Sequence, residues 1–206
     1  MLQYILTPSQ RYSVGELAQM AIEGGCQWIS LNLHGWADPD IRAAIAPDVI
    51  DMCRESGVFL TIDDHPELAR ELGLHGVRLS ATFQRENPQQ TPLALREDLG
   101  PEAVIGVECS DPSAVPALQP ADVDFISLPS GFTADHRRAF IASLRDKSRG
   151  DFALSIPVVA QGDYTPAEAA EAMIDGCNGV AVALSITDAS DPVEAVQTLI
   201  DTLSSL

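Results

Sequence analysis

Ile156-Pro157-Val158-Val159-Ala160-Gln161-Gly162 leads through Thr165-Pro166 to Gly176-Cys177-Asn178-Gly179-Val180-Ala181-Val182-Ala183, and this stretch decides the fold. Thr165-Pro166 is a helix start, because threonine caps free N–H groups and proline presets φ for the first turn. The apolar runs on either side are short, and neither alternates strictly between polar and apolar residues. Strands covered on both faces read this way. The same pattern extends outward along the chain, with strands expected at Gln3–Leu6, Trp28–Leu33, Val58–Ile62, Gly76–Leu79, Val104–Cys109, Phe125–Leu128, Ile156–Ala160 and Gly179–Ala183.

Helical stretches fill the intervals. Ser13-Val14-Gly15-Glu16 is a capping box, and Gly24-Gly25 ends the helix it opens. Asp38-Pro39 predicts a helix running to about Ser56, closed by Gly57. Asp64-His65-Pro66-Glu67 predicts another, with Asp64 at its N-cap and a stop at Gly73. A polar loop, Gln84–Thr91, precedes a short helix at Leu93–Leu99, and further starts stand at Asp111-Pro112, Thr133 and Asp191-Pro192. Strict strand–helix alternation requires parallel strands, and eight units within about 200 residues predict one α/β domain over residues 1–206, a (β/α)₈ TIM barrel. An open doubly wound sheet is the alternative. The Gly-x-Gly-x-x-Gly turn of its dinucleotide-binding form is absent.

Composition bounds the function. A content of 46% hydrophobic and 20% charged residues excludes wholesale disorder. The net charge is −18, and Lys147 is the sole lysine, so the surface repels phosphate backbones and nucleic-acid binding is not expected. No apolar run reaches the roughly 20 residues of a membrane span, and the N-terminal apolar run lacks the basic leader of a signal peptide. The cysteines Cys26, Cys53, Cys109 and Cys177 lack metal-ligand spacing and read as free thiols, so a cytoplasmic protein is expected.

Three segments carry a family resemblance. The first runs Ile62-Asp63-Asp64-His65-Pro66-Glu67-Leu68-Ala69 and on through Leu72-Gly73-Leu74-His75-Gly76-Val77-Arg78-Leu79. The second is Ile105-Gly106-Val107, and the third is the Ile156–Val182 stretch quoted above. Taken in order, they resemble the thiamine phosphate synthase family. The resemblance implies a transferase of thiamine biosynthesis that couples a pyrimidine pyrophosphate to a thiazole phosphate with Mg²⁺, releasing pyrophosphate.

The resemblance also implies a site. Ser30, Asn32 and His34 stand where the family has Gln-x-Arg-x-Lys on the second strand. Asp64 matches a metal-binding aspartate, with Asp63 at an asparagine position; helix capping is the alternative role for Asp64. Phe83 stands where the second metal carboxylate is expected, so Mg²⁺ would lack half its site. Arg78 and Glu108 are new charges on neighbouring strands, either a ligand clamp or an internal salt bridge. Pro129-Ser130-Gly131-Phe132-Thr133 lacks the lysine of the family's Thr-x-Thr-Lys loop. Gly162 and Ser185 are the expected backbone donors of a phosphate cup, beside Asp163 and Ala183-Leu184. Related thiazole tautomerases use a histidine after the fifth strand, where Cys109-Ser110 stands here, and a Cys109 nucleophile lacks a basic neighbour in sequence.

The replaced motifs leave three functions open: a divergent enzyme of this family, a non-catalytic paralogue binding a ligand or partner, and a barrel enzyme acting on a different small metabolite. A small-molecule ligand is expected. The oligomeric state is open, and a homodimer is compatible with the resemblance.

Overall fold

Eight parallel strands close into a barrel in the computed structural model, which describes residues 1–45, 47–118 and 122–206. They are β1 (Leu2–Leu6), β2 (Trp28–Leu31), β3 (Phe59–Asp63), β4 (Gly76–Leu79), β5 (Val104–Glu108), β6 (Phe125–Leu128), β7 (Val158–Gln161) and β8 (Gly179–Val182). Each strand pairs with the next in sequence, and β8 closes on β1 through Leu2–Val180, Gln3–Ala181 and Tyr4–Val182. The expected barrel is therefore the observed one, and the open sheet is excluded.

Caps set the helix starts where the sequence places them. Ser13 and Thr165 form complete capping boxes with Glu16 and Glu168, and Thr133 and Asp191 accept N–H groups from His136 and Glu194. Other boundaries differ for local reasons. The expected helix from Asp38 to Ser56 is two, Asp38–Ala44 and Pro47–Glu55, with Ala46 outside the described residues. Pro47 has no N–H to continue an earlier helix. The polar loop at Gln84–Thr91 is partly helical, because Ser80 caps a helix at Ala81–Glu86 by accepting Phe83 N–H at 3.1 Å. After β5 the connection is a 3₁₀ segment, Pro112–Ala117, with Pro116 inside it. β2 stops at Leu31, two residues short of expectation, because its neighbour β1 ends before Pro8, which has no N–H to extend the ladder. β7 begins at Val158 because Ile156 closes the preceding helix by donating to Phe152 O. Among the described residues no helix is long and apolar enough to cross a membrane.

Followed around the closed barrel, the ladder register stacks inward side chains in layers contributed by alternate strands. Ile5, Phe125, Val159 and Ala181 pack together inside the barrel with Trp28 and Val104 against them. The layer above Gln3, Thr61, Gly106 and Val159 contains Ser30, Arg78, Ser127 and Ala181. Ile5, Asp63, Glu108 and Gln161 follow, nearest the C-terminal mouth. The floor is therefore aromatic and the upper layers are polar.

Gly106 makes the floor fit. The Phe125 ring lies where a Gly106 side chain would stand, and a Cβ there would come within 2.1 Å of Phe125 Cζ. Phe125 also packs edge-on to Trp28, with ring centroids 5.0 Å apart. We predict that Gly106→Ala destabilises the fold by about 1–3 kcal/mol through overpacking. Adding Phe125→Leu should recover part of that loss. Urea unfolding of both variants checks this; an unchanged midpoint in the single variant would contradict the packing account.

Candidate active site at the C-terminal mouth

Register brings Asp63 beside Arg78, and Arg78 beside Gly106. Arg78 is 3% exposed and Asp63 is 1% exposed, so each charge depends on its partner. The guanidinium donates in a fork to Asp63, Nη2 to Oδ2 at 2.6 Å and Nε to Oδ1 at 3.1 Å. Ser30 Oγ donates to the same carboxylate at 2.9 Å. Nη1 reaches Glu108 Oε2 at 3.2 Å, a long contact for a charge-assisted bond. Burial pulls the Arg78 pKa down, but Asp63, followed by Glu108 and Asp64, outweighs it and holds the pKa above the ordinary arginine value. Of the two roles open from sequence, the internal salt bridge is the observed one, with Asp63 as principal partner.

Asp64 does not cap the helix that follows it. The N-cap of the helix Pro66–Glu71 is His65, without a side-chain capping bond. Asp64 instead accepts from Ser80 N at 2.7 Å and from Ser80 Oγ at 2.6 Å, and its Oδ2 lies 3.3 Å from His34 Nε2. Among the described residues it is the one non-glycine residue with positive φ, at 59°. Such strain persists where the surroundings over-determine it, here the bonds to Ser80. Mg²⁺ does not fit these residues: both Asp64 oxygens are engaged, and Phe83 packs against the apolar core. Among the described residues no group of three His, Cys, Asp or Glu is placed to hold a metal.

Asn32 is half-buried and donates its backbone N–H to Leu6 O at 2.9 Å, and His34 is exposed at the rim. Across the mouth, the two expected phosphate donors fare differently. Gly162 N–H is committed to Ala181 O at 3.0 Å, which corrects its expected role, and the Tyr164 ring covers Gly162. Asp163 Oδ1 accepts the Leu184 N–H at 2.7 Å, beside Ser185. Burial raises the pKa of the Cys109 thiol, which disfavours the thiolate a nucleophile needs.

Sequence reasoning missed several interior residues. Gln3 and Ser127 are fully buried, and Gln3 Oε1, Gln3 Nε2 and Ser127 Oγ have no hydrogen-bond partner; the same holds for the buried atoms Gln161 Oε1, Thr7 Oγ1 and Ser185 Oγ. An unpaired buried polar atom costs about 1–3 kcal/mol, so these atoms mark where a ligand or ordered water is expected. Polar residues inside the apolar runs Leu2–Leu6 and Phe125–Leu128 were the available signal.

The ion pair gives a quantitative expectation. Asp63→Asn should destabilise the protein by about 3–5 kcal/mol, because Arg78 then loses its close counter-charge and keeps only the long ion pair to Glu108. The double variant Asp63→Leu/Arg78→Met should lose less than the single one. Chemical denaturation measures both; a loss under about 1 kcal/mol in the single variant, typical of exposed pairs, would contradict this account.

Known proteins share this architecture. The thiamine monophosphate synthase family profile matches residues 3–186. Thiamine-phosphate synthase of Bacteroides fragilis is 30% identical over 97% of this chain and 98% of its own length. The Xanthomonas campestris thiamine-phosphate synthase is 31% identical over 94% and 91%. Thiamine phosphate pyrophosphorylase from Pyrococcus furiosus superposes with a TM-score of 0.78 at 22% identity, covering 98% of this chain and 95% of that one. Orotidine 5'-phosphate decarboxylase from Pyrococcus horikoshii, at 16% identity and a TM-score of 0.68, shares the fold alone. With a profile match over nearly its whole length and relatives aligned end to end, the chain belongs to the thiamine monophosphate synthase family.

Proposed function

We propose that this barrel binds a small metabolite at its C-terminal mouth, and that it does not couple a pyrimidine pyrophosphate to a thiazole phosphate at an ordinary enzymatic rate. The observation that carries this reading is the engagement of Arg78 by Asp63 and Glu108, which leaves that guanidinium committed inside the protein. Expelling pyrophosphate needs positioned cations where negative charge develops. The positions that resemblance assigns to that task hold Asn32, His34 and Phe83, and the loop after β6 lacks a lysine. On the opposite rim Asp163 holds the Leu184 N–H with its own carboxylate, where a phosphate would need backbone donors.

Ser30, Asn32, His34, Asp63, Arg78 and Glu108 remain the substrate-side residues of this reading, on the C-terminal ends of β2 to β5 or just beyond them. Ser30 and Asp63 position Arg78, and His34 with Asp64 forms the rim above them. Gly162 falls outside it as a phosphate donor, because its N–H is committed to Ala181 O, whereas Ser185 stays within it with an unpartnered Oγ. The protein is read as cytoplasmic on its free thiols, with a homodimer compatible with the fold.

Activity tests this directly. With Mg²⁺, the pyrimidine pyrophosphate and the thiazole phosphate, thiamine phosphate formation is expected to be negligible. Pyrophosphate release at about 1 s⁻¹ or faster would overturn the reading, since that is an ordinary enzyme rate. Asp163→Gly should raise the affinity for inorganic phosphate about tenfold or more by removing a like charge from the cup. Calorimetric titration of both forms measures this, and equal affinities would show that Asp163 does not guard the cup.

A further inference from the structure

Several buried polar groups inside the barrel lack partners, and Gln3, Ser127 and Gln161 among them can each accept a hydrogen bond. Glu108, Ser127 and Gln161 stand at the C-terminal ends of three consecutive strands, and Glu108 is the ladder neighbour of Ser127. Ser127 is fully buried with an unpartnered Oγ, and Gln161 Oε1 is likewise buried and unpartnered. One layer down, Gln3 is fully buried with both amide atoms unpartnered. β8 contributes only Ala181 and Ala183 on the adjoining wall.

Charge gives these acceptors a preference. Asp63 matches the Arg78 fork with both oxygens, at 2.6 and 3.1 Å. Glu108 is held less closely, by Arg78 Nη1 at 3.2 Å and Ala81 N–H at 3.4 Å, and its side chain keeps 19% exposure toward the mouth. One guanidinium therefore faces two carboxylates, and the further carboxylate of Asp64 stands near. An anionic group placed among Glu108, Ser127 and Gln161 would meet the like charge of Glu108. A group carrying positive charge and several N–H bonds would satisfy Glu108, the Ser127 hydroxyl and the Gln161 carbonyl together.

We infer that Glu108, Ser127 and Gln161 form a receptor for a cationic nitrogen group, an ammonium or amidinium, of the small molecule that enters the barrel. This inference rests on the reading of the mouth as a ligand site and names the chemical class it takes. Gln3 lies beneath, above the aromatic floor, able to donate to and accept from the same ligand.

The test uses the full chain at neutral pH. Butylammonium and agmatine serve as cationic probes, with butyrate and inorganic phosphate as controls, and binding is followed by protein NMR at the side-chain amides of Gln161 and Gln3. The expected result is saturable shifts with a cationic probe at a Kd of about 1 mM or tighter. Glu108→Gln should weaken that binding roughly tenfold or more, as loss of a charge-assisted bond implies. Ser127→Ala, which leaves the Arg78 network untouched, should weaken it by roughly threefold and keeps the test valid if the first variant unfolds. No saturable shift with either cation, tighter binding of butyrate or phosphate at these amides, or cation binding unchanged by both variants would each overturn the inference. Coupling activity on the same preparation separates the two readings: turnover there defeats the proposed function, whereas inactivity without cation binding defeats only the receptor.

Discussion

A single guanidinium buried in a barrel governs the upper half of this molecule. Arg78 stands on β4 between Asp63, its ladder neighbour on β3, and Gly106, its neighbour on β5. A charge sealed from water survives only with a partner of good geometry. Asp63 is therefore buried too, and Ser30 supplies the hydrogen bond that completes it. Because Gly106 has no side chain, the guanidinium can reach past it to Glu108, while Phe125 takes the space below. The polar layers, the aromatic floor and the divided charge at the mouth all follow from that arrangement.

The fold was legible because its signals are local. Short apolar runs recur eight times, with N-cap residues and glycine stops between several of them, and each depends only on neighbours in sequence. Boundaries failed where one residue overrode a longer pattern, as Pro47 does in the expected helix from Asp38 to Ser56. The site was less legible because its contacts span strands. Asp64 offered two local roles, capping and metal binding, and the observed one depends on Ser80, sixteen residues away. The Arg78 pairing with Asp63 depends on register, which sequence periodicity does not set between parallel strands covered on both faces. Gln3 and Ser127 were hidden for the same reason: a polar residue in such a strand gives no indication of whether it faces helices or the barrel interior.

Membership of a family and the chemistry of one mouth are separate statements. The barrel supplies a rigid ring of strand ends, and function resides in the side chains placed there. Here those side chains are the Arg78–Asp63 fork, the longer Arg78–Glu108 contact and the His34–Asp64 pair at the rim. Selectivity at such a mouth comes as much from what is repelled as from what is held.

The carboxylate of Asp163 on the Leu184 N–H has a kinetic meaning as well as an electrostatic one. It is a competitor that never diffuses away. A group held beside its donor by the same folded barrel acts at an effective concentration of about millimolar or above. A free anion that seeks the same N–H must outcompete that permanent local supply before it gains any contact of its own. The rim of the barrel thus carries a built-in rival to any dissolved anion at that N–H.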